Sequence, residues 1–323
     1  MKAAVMHPQE GIPRYVEVPD PVVAHEEDVL ITVRAAAIKS VDRSRASGTH
    51  YSSEAAGAAR VIGGDGVGLL PDGTRVYAVS PNGMVAERAV VARDRLVVVP
   101  DGLDDVTAAA LPNAVIGSAM GLRCRAGMQP GDTVLINGAT GVTGRVAVQI
   151  ARHYGARRII ATGRNPESLQ ALLALGADEV ISTGQADEAF LRQIRALHSR
   201  TPVDIILDYL WGHPAELLLA ALKGQGTFTH PVRFVSVGSV TGDRLPLSAE
   251  ILRSVNLQLS GSGLGSWTRG EVGRLFGEML PQAFQWAAAG QLRIDTVRVR
   301  LADIESIYDV SVTDGKRLVV TID

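Results

Sequence analysis

The sequence predicts an α/β protein in which a doubly wound parallel sheet is inserted into a β-rich domain built from both chain ends. Three observations predict it. Apolar strand-like runs alternate with amphipathic helical patterns through the middle of the chain. A glycine cluster follows the first of those runs. The flanking segments read instead as short strands separated by turns.

A chain of 323 residues has room for two domains. With 46% hydrophobic and 20% charged residues it is not a disordered chain. Lys+Arg number 32 against 34 Asp+Glu, for a net charge of -2, which argues against a dedicated nucleic-acid binder or a polybasic membrane anchor. The single cysteine, Cys124, can form neither an internal disulfide nor a structural zinc cluster, and is expected as a small buried residue. MKAAVMHPQEG lacks the apolar stretch of a signal peptide, and no window nears the length of a membrane span. The expectation is a soluble, cytoplasmic protein. Aromatics at 4% leave few platforms for stacking on sugars or bases.

The elements follow in order. MKAAVM, VLITVRAAAI, TRVYAV, MVAERAVV and RLVVVP are strand-like, and Gly, Pro, Asp and Asn clusters separate them. DDVTAAALPNAVIGSAMGL reads as a helix interrupted near Pro112. TVLIN (Thr133 to Asn137) is a buried strand, followed by a helix with Ala147, Ile150, Ala151 and Tyr154 on one face. RRIIAT is the next strand, then PESLQALLALG, with Pro166 in its first turn and Gly176 at its end. EVIS, a helix presenting Phe190, Ile194 and Leu197, VDIILD, PAELLLAALK and VRFVSVG continue the alternation. NLQLSGSGL, with Leu257 and Leu259 alternating, reads as the last strand and an exposed edge. Continuously apolar strands such as DIILD fit a sheet covered on both faces. EVGRLFGEMLPQAFQWAAAG, DTVRVRLADI and RLVVTID then resemble the first third again. The expected division is residues 1–115 with 266–323, and 116–265 between them.

The glycine cluster carries the chemistry. Read as G-x-G-x-x-G it runs Ala139, Gly141, Gly144, with Thr140, Val142 and Thr143 between. Gly141 lets backbone approach a pyrophosphate, Gly144 lets the helix pack on the strand, and the Val142 and Thr143 N–H groups face the anion. The following strand ends Gly163-Arg164-Asn165, without the carboxylate that would bind the ribose of NAD. Arg164 can pair with a 2′-phosphate, so the expected cofactor is NADPH.

These residues resemble the medium-chain dehydrogenase/reductase superfamily, in its zinc-free, quinone-oxidoreductase-like branch. Matching segments are MKAAV, AAAIKSVDRSRASGTHY, GGDGVG, GMVAERAVV, PGDTVLINGATGVTGRVAVQIARHYGA, LGADEVI, VDIILDYLWG and GKRLVVTID. The resemblance implies a GroES-like domain at the chain ends, a Rossmann domain between, and an active site in the cleft. It places Ser118, Gly238, Ser239, Ser260, Gly261 and Ser262 by the nicotinamide. It implies a homodimer formed by pairing of edge strands. Zinc-dependent members carry a Cys at the position of Lys39 and a His at that of Gly64, so no metal is expected. Zinc-free members usually carry Asn at the Lys39 position.

Lys39 is therefore expected to polarise a substrate carbonyl, and Tyr51 to donate a proton or stack on the substrate. Asp42 is expected to order its loop, and Asp208 to bind water near the cofactor or cap its strand. Trp267 is expected in core packing, with a pocket wall as the alternative. Short-chain reductases, the other fold considered, require Tyr-x-x-x-Lys, which no tyrosine here supplies; Tyr154 is followed by Arg158. The expected activity is hydride transfer from NADPH to a quinone or α,β-unsaturated carbonyl. The alternatives are ketone or imine reduction, or a non-catalytic NADPH-binding protein.

Overall fold

Six apolar runs in the middle of the chain become the strands of one parallel sheet. They are β1 (Thr133–Asn137), β2 (Arg158–Gly163), β3 (Glu179–Ser182), β4 (Ile205–Asp208), β5 (Val232–Ser236) and β6 (Leu257–Gly261), in the order β3-β2-β1-β4-β5-β6. Every neighbouring pair is parallel. Helices α1 (Val142–His153), α2 (Pro166–Ala174), α3 (Asp187–Arg200) and α4 (Gly212–Ala221) connect them. Helix α3 buries Phe190, Ile194 and Leu197, the face its periodicity foretells. Those side chains pack with Leu135, Ile160, Ile206 and Phe234 from the strands. The strand order reverses beside β1, which makes the carboxyl ends of β1 and β4 a topological switch point.

This computed structural model describes residues 1–7, 10–46, 58–308 and 315–322. The chain forms two units, Met1–Asn113 with Phe276–Asp323, and Ala114–Leu275. Residues 266–275 lie with the middle unit rather than with the carboxyl-terminal strands. Arg125 pairs with Glu271, and the Trp267 indole donates to Ser262 at 3.2 Å.

The first unit carries antiparallel sheets. Asp28–Ile38 is central to the larger one, flanked by Arg317–Thr321, Asp65–Leu69 and Arg88–Ala92. Thr296–Arg300 joins in parallel with Arg317–Thr321, so both chain ends complete one sheet. Ile31, Val33, Ala36, Leu318 and Val320 form its core face. Lys2–Met6 pairs separately with Arg14–Glu17 and Arg60–Val61.

The helix expected to break near Pro112 instead runs through it, from Asp105 to Val115. A proline removes one backbone donor without ending a helix that tertiary packing holds. The change comes later, where Ile116–Arg125 forms a wider π-helix. Such wide turns often mark functional sites.

Candidate functional site

The glycine cluster sits at the carboxyl end of β1. Gly138 turns the chain at a φ of 82°, and a Cβ there would lie 2.7 Å from the Leu210 side chain. Helix α1 begins at Val142 with Gly141 as an N-cap that offers no side-chain acceptor. A Cβ on Gly141 would meet only the Gly138 carbonyl, at 4.0 Å, so this side of the loop is open. A Cβ on Gly144 would fall 2.5 Å from the Ala139 Cα, so only glycine allows this packing of helix on loop. The N–H groups of Val142 and Thr143 are thus left for an anion at an uncapped helix start. These residues fit a pyrophosphate.

The end of β2 supplies the next part. Gly163 is buried against Thr140, whose methyl would lie 2.4 Å from an added Cβ. Gly163 therefore packs beneath the loop as well as sparing it a carboxylate. Arg164 is exposed, and its side chain has no ion-pair partner among the described residues. Asn165 is already engaged: its side-chain oxygen caps α2 by accepting from the Ser168 N–H at 2.8 Å.

A buried polar network ties the strand ends together. Asn137 donates to Asp208 at 2.7 Å and accepts from the Thr162 hydroxyl at 2.6 Å. The Gly138 N–H donates to Thr162 at 3.2 Å. Asp208 also accepts from the N–H groups of Leu210 and Trp211. Asp208 therefore caps the strand end. Its burial raises its pKa above the usual carboxylate value, against the lowering effect of those donors. Trp211, at a φ of 55°, holds a conformation normally left to glycine, and its carbonyl accepts from the Thr241 hydroxyl at 2.8 Å.

Beyond their strands, the β4 and β5 chains remain zipped. Val237 donates to the Asp208 carbonyl and Thr241 to that of Leu210. Gly238 and Ser239 lie on this extension. Ser262 follows β6 and donates its N–H to the Ser236 carbonyl at 2.8 Å, carrying Ser260 and Gly261 alongside β5. Ser118, fully buried in the π-helix, gives its hydroxyl to the Ala114 carbonyl at 2.8 Å. Its side chain serves its own helix.

In the first unit, Lys39 has a different place from the one expected. It is buried, with 4% of its surface exposed, beside Asp42 and Asp65. Its ammonium lies 3.0 Å from an Asp42 oxygen, donates to the Ala37 carbonyl at 3.1 Å, and is hydrogen-bonded to Asp65. Burial pulls its pKa down, but the two carboxylates outweigh this and hold it above the ordinary lysine value. Three acceptors take its three protons, so the expected role of donor to a substrate carbonyl is corrected to that of an internal counter-ion. Asp65 also accepts from the Tyr77 hydroxyl at 2.7 Å, and burial followed by that charge raises the Tyr77 pKa well above 10. Asp42 orders its loop as expected, accepting from the N–H groups of Lys39 and Gly64. Tyr51 and His50 lie outside the described residues.

Sequence reasoning missed Asp65, Tyr77 and Arg317. Arg317 is buried and reaches Asn113 at 3.2 Å. The available signals were a charged residue opening a strand-like run, Arg317, and a tyrosine inside one, Tyr77. The first unit also holds a cavity of about 550 Å³, with Asp42, Arg60, Gly63, Gly64, Ser80 and Asn82 among its walls.

Residues 142–283 match the zinc-binding dehydrogenase family. A relative from Emericella nidulans, named "Probable NADPH-dependent quinone reductase", is 28% identical over 95% of this chain and 96% of its own. The erythronolide synthase of Saccharopolyspora erythraea is 30% identical over 89% of this chain, which spans only 8% of that synthase. Among solved structures, the quinone oxidoreductase of Thermus thermophilus, also crystallised with NADPH, superposes with a TM-score of 0.81 at 28% identity, over 99% of this chain and all of that one. Together with the inserted parallel sheet and its glycine loop, these likenesses make the chain similar to the medium-chain dehydrogenase/reductase superfamily, in its quinone-reductase-like branch.

Proposed function

We propose that this protein is an NADPH-dependent reductase that moves hydride to a quinone or an α,β-unsaturated carbonyl without zinc. The observation that carries the reading is the open, uncapped start of α1 behind Gly141, with exposed Arg164 at the end of the next strand. The first holds a pyrophosphate and the second a 2′-phosphate. NADPH relatives and an NADPH-bound neighbour support it. When bound, NADPH would supply the hydride.

Each protein group then has a task. Val142 and Thr143 orient the pyrophosphate through their N–H groups. Gly238, Ser239, Ser260, Gly261 and Ser262 line the sheet edge where the nicotinamide is proposed to lie. Lys39 occupies the position where zinc-dependent relatives place a metal-binding Cys, and its ammonium neutralises Asp65 and Asp42 in place of a metal. A conjugated substrate suits such a site, because conjugation spreads the developing negative charge and needs no Lewis acid. Tyr51 is the proposed proton donor.

We further propose a homodimer. Strand β6 lies at the edge of its sheet, with Leu257 and Leu259 half-buried and Leu252 and Leu264 exposed nearby. Such an edge invites pairing with a second copy. The activity is tested by a panel of quinones, enones and simple ketones with NADPH. Turnover of quinones or enones is expected. Turnover of ketones alone would replace this reading with a carbonyl reductase, and tight NADPH binding without oxidation would replace it with a non-catalytic role.

A further inference from the structure

Tyr209 follows Asp208 at the carboxyl end of β4, on the central side of the switch point. It is 8% exposed, and its hydroxyl is buried with no hydrogen-bond partner among the described residues. Most other orphaned polar atoms belong to side chains that bond through a second atom: Arg125 to Glu271, Arg158 to Glu179, Arg317 to Asn113. A tyrosine has one polar atom, so here the whole side chain is unsatisfied. Its backbone is not at fault, since its N–H donates to the Asn137 carbonyl at 3.1 Å. Native proteins rarely bury a hydroxyl in this way, because desolvation is uncompensated.

The location supplies the explanation. Tyr209, Thr143 and Val237 converge on Gly117 of the π-helix. A Cβ on Gly117 would lie 3.1 Å from the Thr143 methyl, 3.6 Å from Val237 and 3.8 Å from the Tyr209 ring. Thr143 stands in the first turn of α1, where the pyrophosphate would rest. Val237 precedes Gly238 and Ser239. The ring thus stands near Thr143 of the proposed pyrophosphate loop and near Val237, which leads into the proposed nicotinamide residues. Burial, and next the Asp208 charge, push the phenol pKa upward, so the hydroxyl keeps its proton.

We propose that Tyr209 is a dinucleotide-binding residue whose hydroxyl donates to an oxygen of the pyrophosphate–ribose portion of NADPH. This rests on the NADPH reading above. The ligand-free protein bears the orphaned hydroxyl, and the bound dinucleotide satisfies it.

Tyr209→Phe removes one oxygen and keeps the ring, so the fold is retained. The melting temperature of the ligand-free variant is expected to equal or exceed that of wild type, because no protein hydrogen bond is lost. Its Kd for NADPH, from fluorescence titration, is expected to rise about fivefold, the worth of one neutral hydrogen bond. The NADPH-induced rise in melting temperature should shrink accordingly. Unchanged NADPH affinity in Tyr209→Phe would overturn the proposal. So would a lower melting temperature of the ligand-free variant, which would show that the hydroxyl serves the fold. If wild type shows no thermal shift with NADPH, the cofactor reading falls and this proposal falls with it; a wild-type shift that the variant keeps overturns this proposal alone.

Discussion

Replacing Lys39 with Met removes the ammonium from a buried cluster and leaves two carboxylates behind. Lys39, Asp42 and Asp65 are 4%, 7% and 7% exposed, so little solvent screens the change. Removing one partner of a buried ion pair typically costs about 3–5 kcal/mol. Asp65 keeps the Tyr77 hydroxyl at 2.7 Å and Asp42 keeps a backbone N–H at 2.9 Å, which points to the lower end, about 3 kcal/mol. At roughly 2–4 °C per kcal/mol for a unit of this size, the transition should fall by about 6–12 °C in calorimetry at pH 7. Lys39→Met combined with Asp65→Asn should regain part of the loss, because one stranded charge disappears. The pH dependence follows from the raised Lys39 pKa. Its stabilisation is full below the unfolded value of 10.5 and is lost as pH rises through the higher folded value. Wild type should therefore weaken on the alkaline side, and Lys39→Met should weaken less steeply, retaining the same-signed contributions of the buried phenols Tyr77 and Tyr209. A loss under about 1 kcal/mol, which is what an exposed lysine gives, or an unaltered alkaline limb would refute the internal counter-ion.

Arg164→Ala should lower the preference for NADPH over NADH about tenfold in kcat/KM by weakening NADPH alone, the worth of one charge-assisted contact; equal use of both dinucleotides by wild type would remove Arg164 from the site. Gly144→Ala would place a methyl 2.5 Å from the Ala139 Cα and 2.7 Å from the Gly138 carbonyl, both backbone atoms. It should lower stability by about 1–3 kcal/mol and abolish the thermal shift with NADPH, and a variant that binds normally would contradict the tight packing of helix on loop. Leu259→Lys places a charge on the β6 edge and should reduce a dimeric mass in light scattering to that of the monomer; a monomeric wild type at micromolar concentration would sink the dimer.

What could be read ahead of the structure was periodic or local. The strands of the parallel sheet announced themselves as continuous apolar runs, and Phe190, Ile194 and Leu197 as a helical stripe. The glycine loop was legible because its constraint is steric and falls within eight consecutive residues. Lys39 was misread because its partner Asp65 is 26 residues away in sequence, and only the pairing of Asp28–Ile38 with Asp65–Leu69 brings the two together. Tyr209 was overlooked for a related reason: it looks like one more apolar residue at a strand end until its hydroxyl is found without a partner. The π-helix was equally silent, since the Ala-rich run around Pro112 signals helix without fixing its width.

The larger antiparallel sheet imposes an order on the birth of the molecule. Ile38 and Leu318 are neighbours in it, yet some 280 residues are synthesised between them. At roughly 5–20 residues per second, the ribosome takes about 14–56 s to deliver the second after the first. Throughout that interval the Ala35–Ile38 end of the nascent Asp28–Ile38 strand lacks its mate on one flank, Arg88–Ala92 covering only the Asp28–Thr32 half, while the whole of the parallel sheet emerges and can close on itself. The dinucleotide unit is thus free to mature first, and the last strand arrives to seal a flank that has stood open to other chains. Overexpression should expose this waiting period as chaperone dependence, relieved by slower induction or lower temperature.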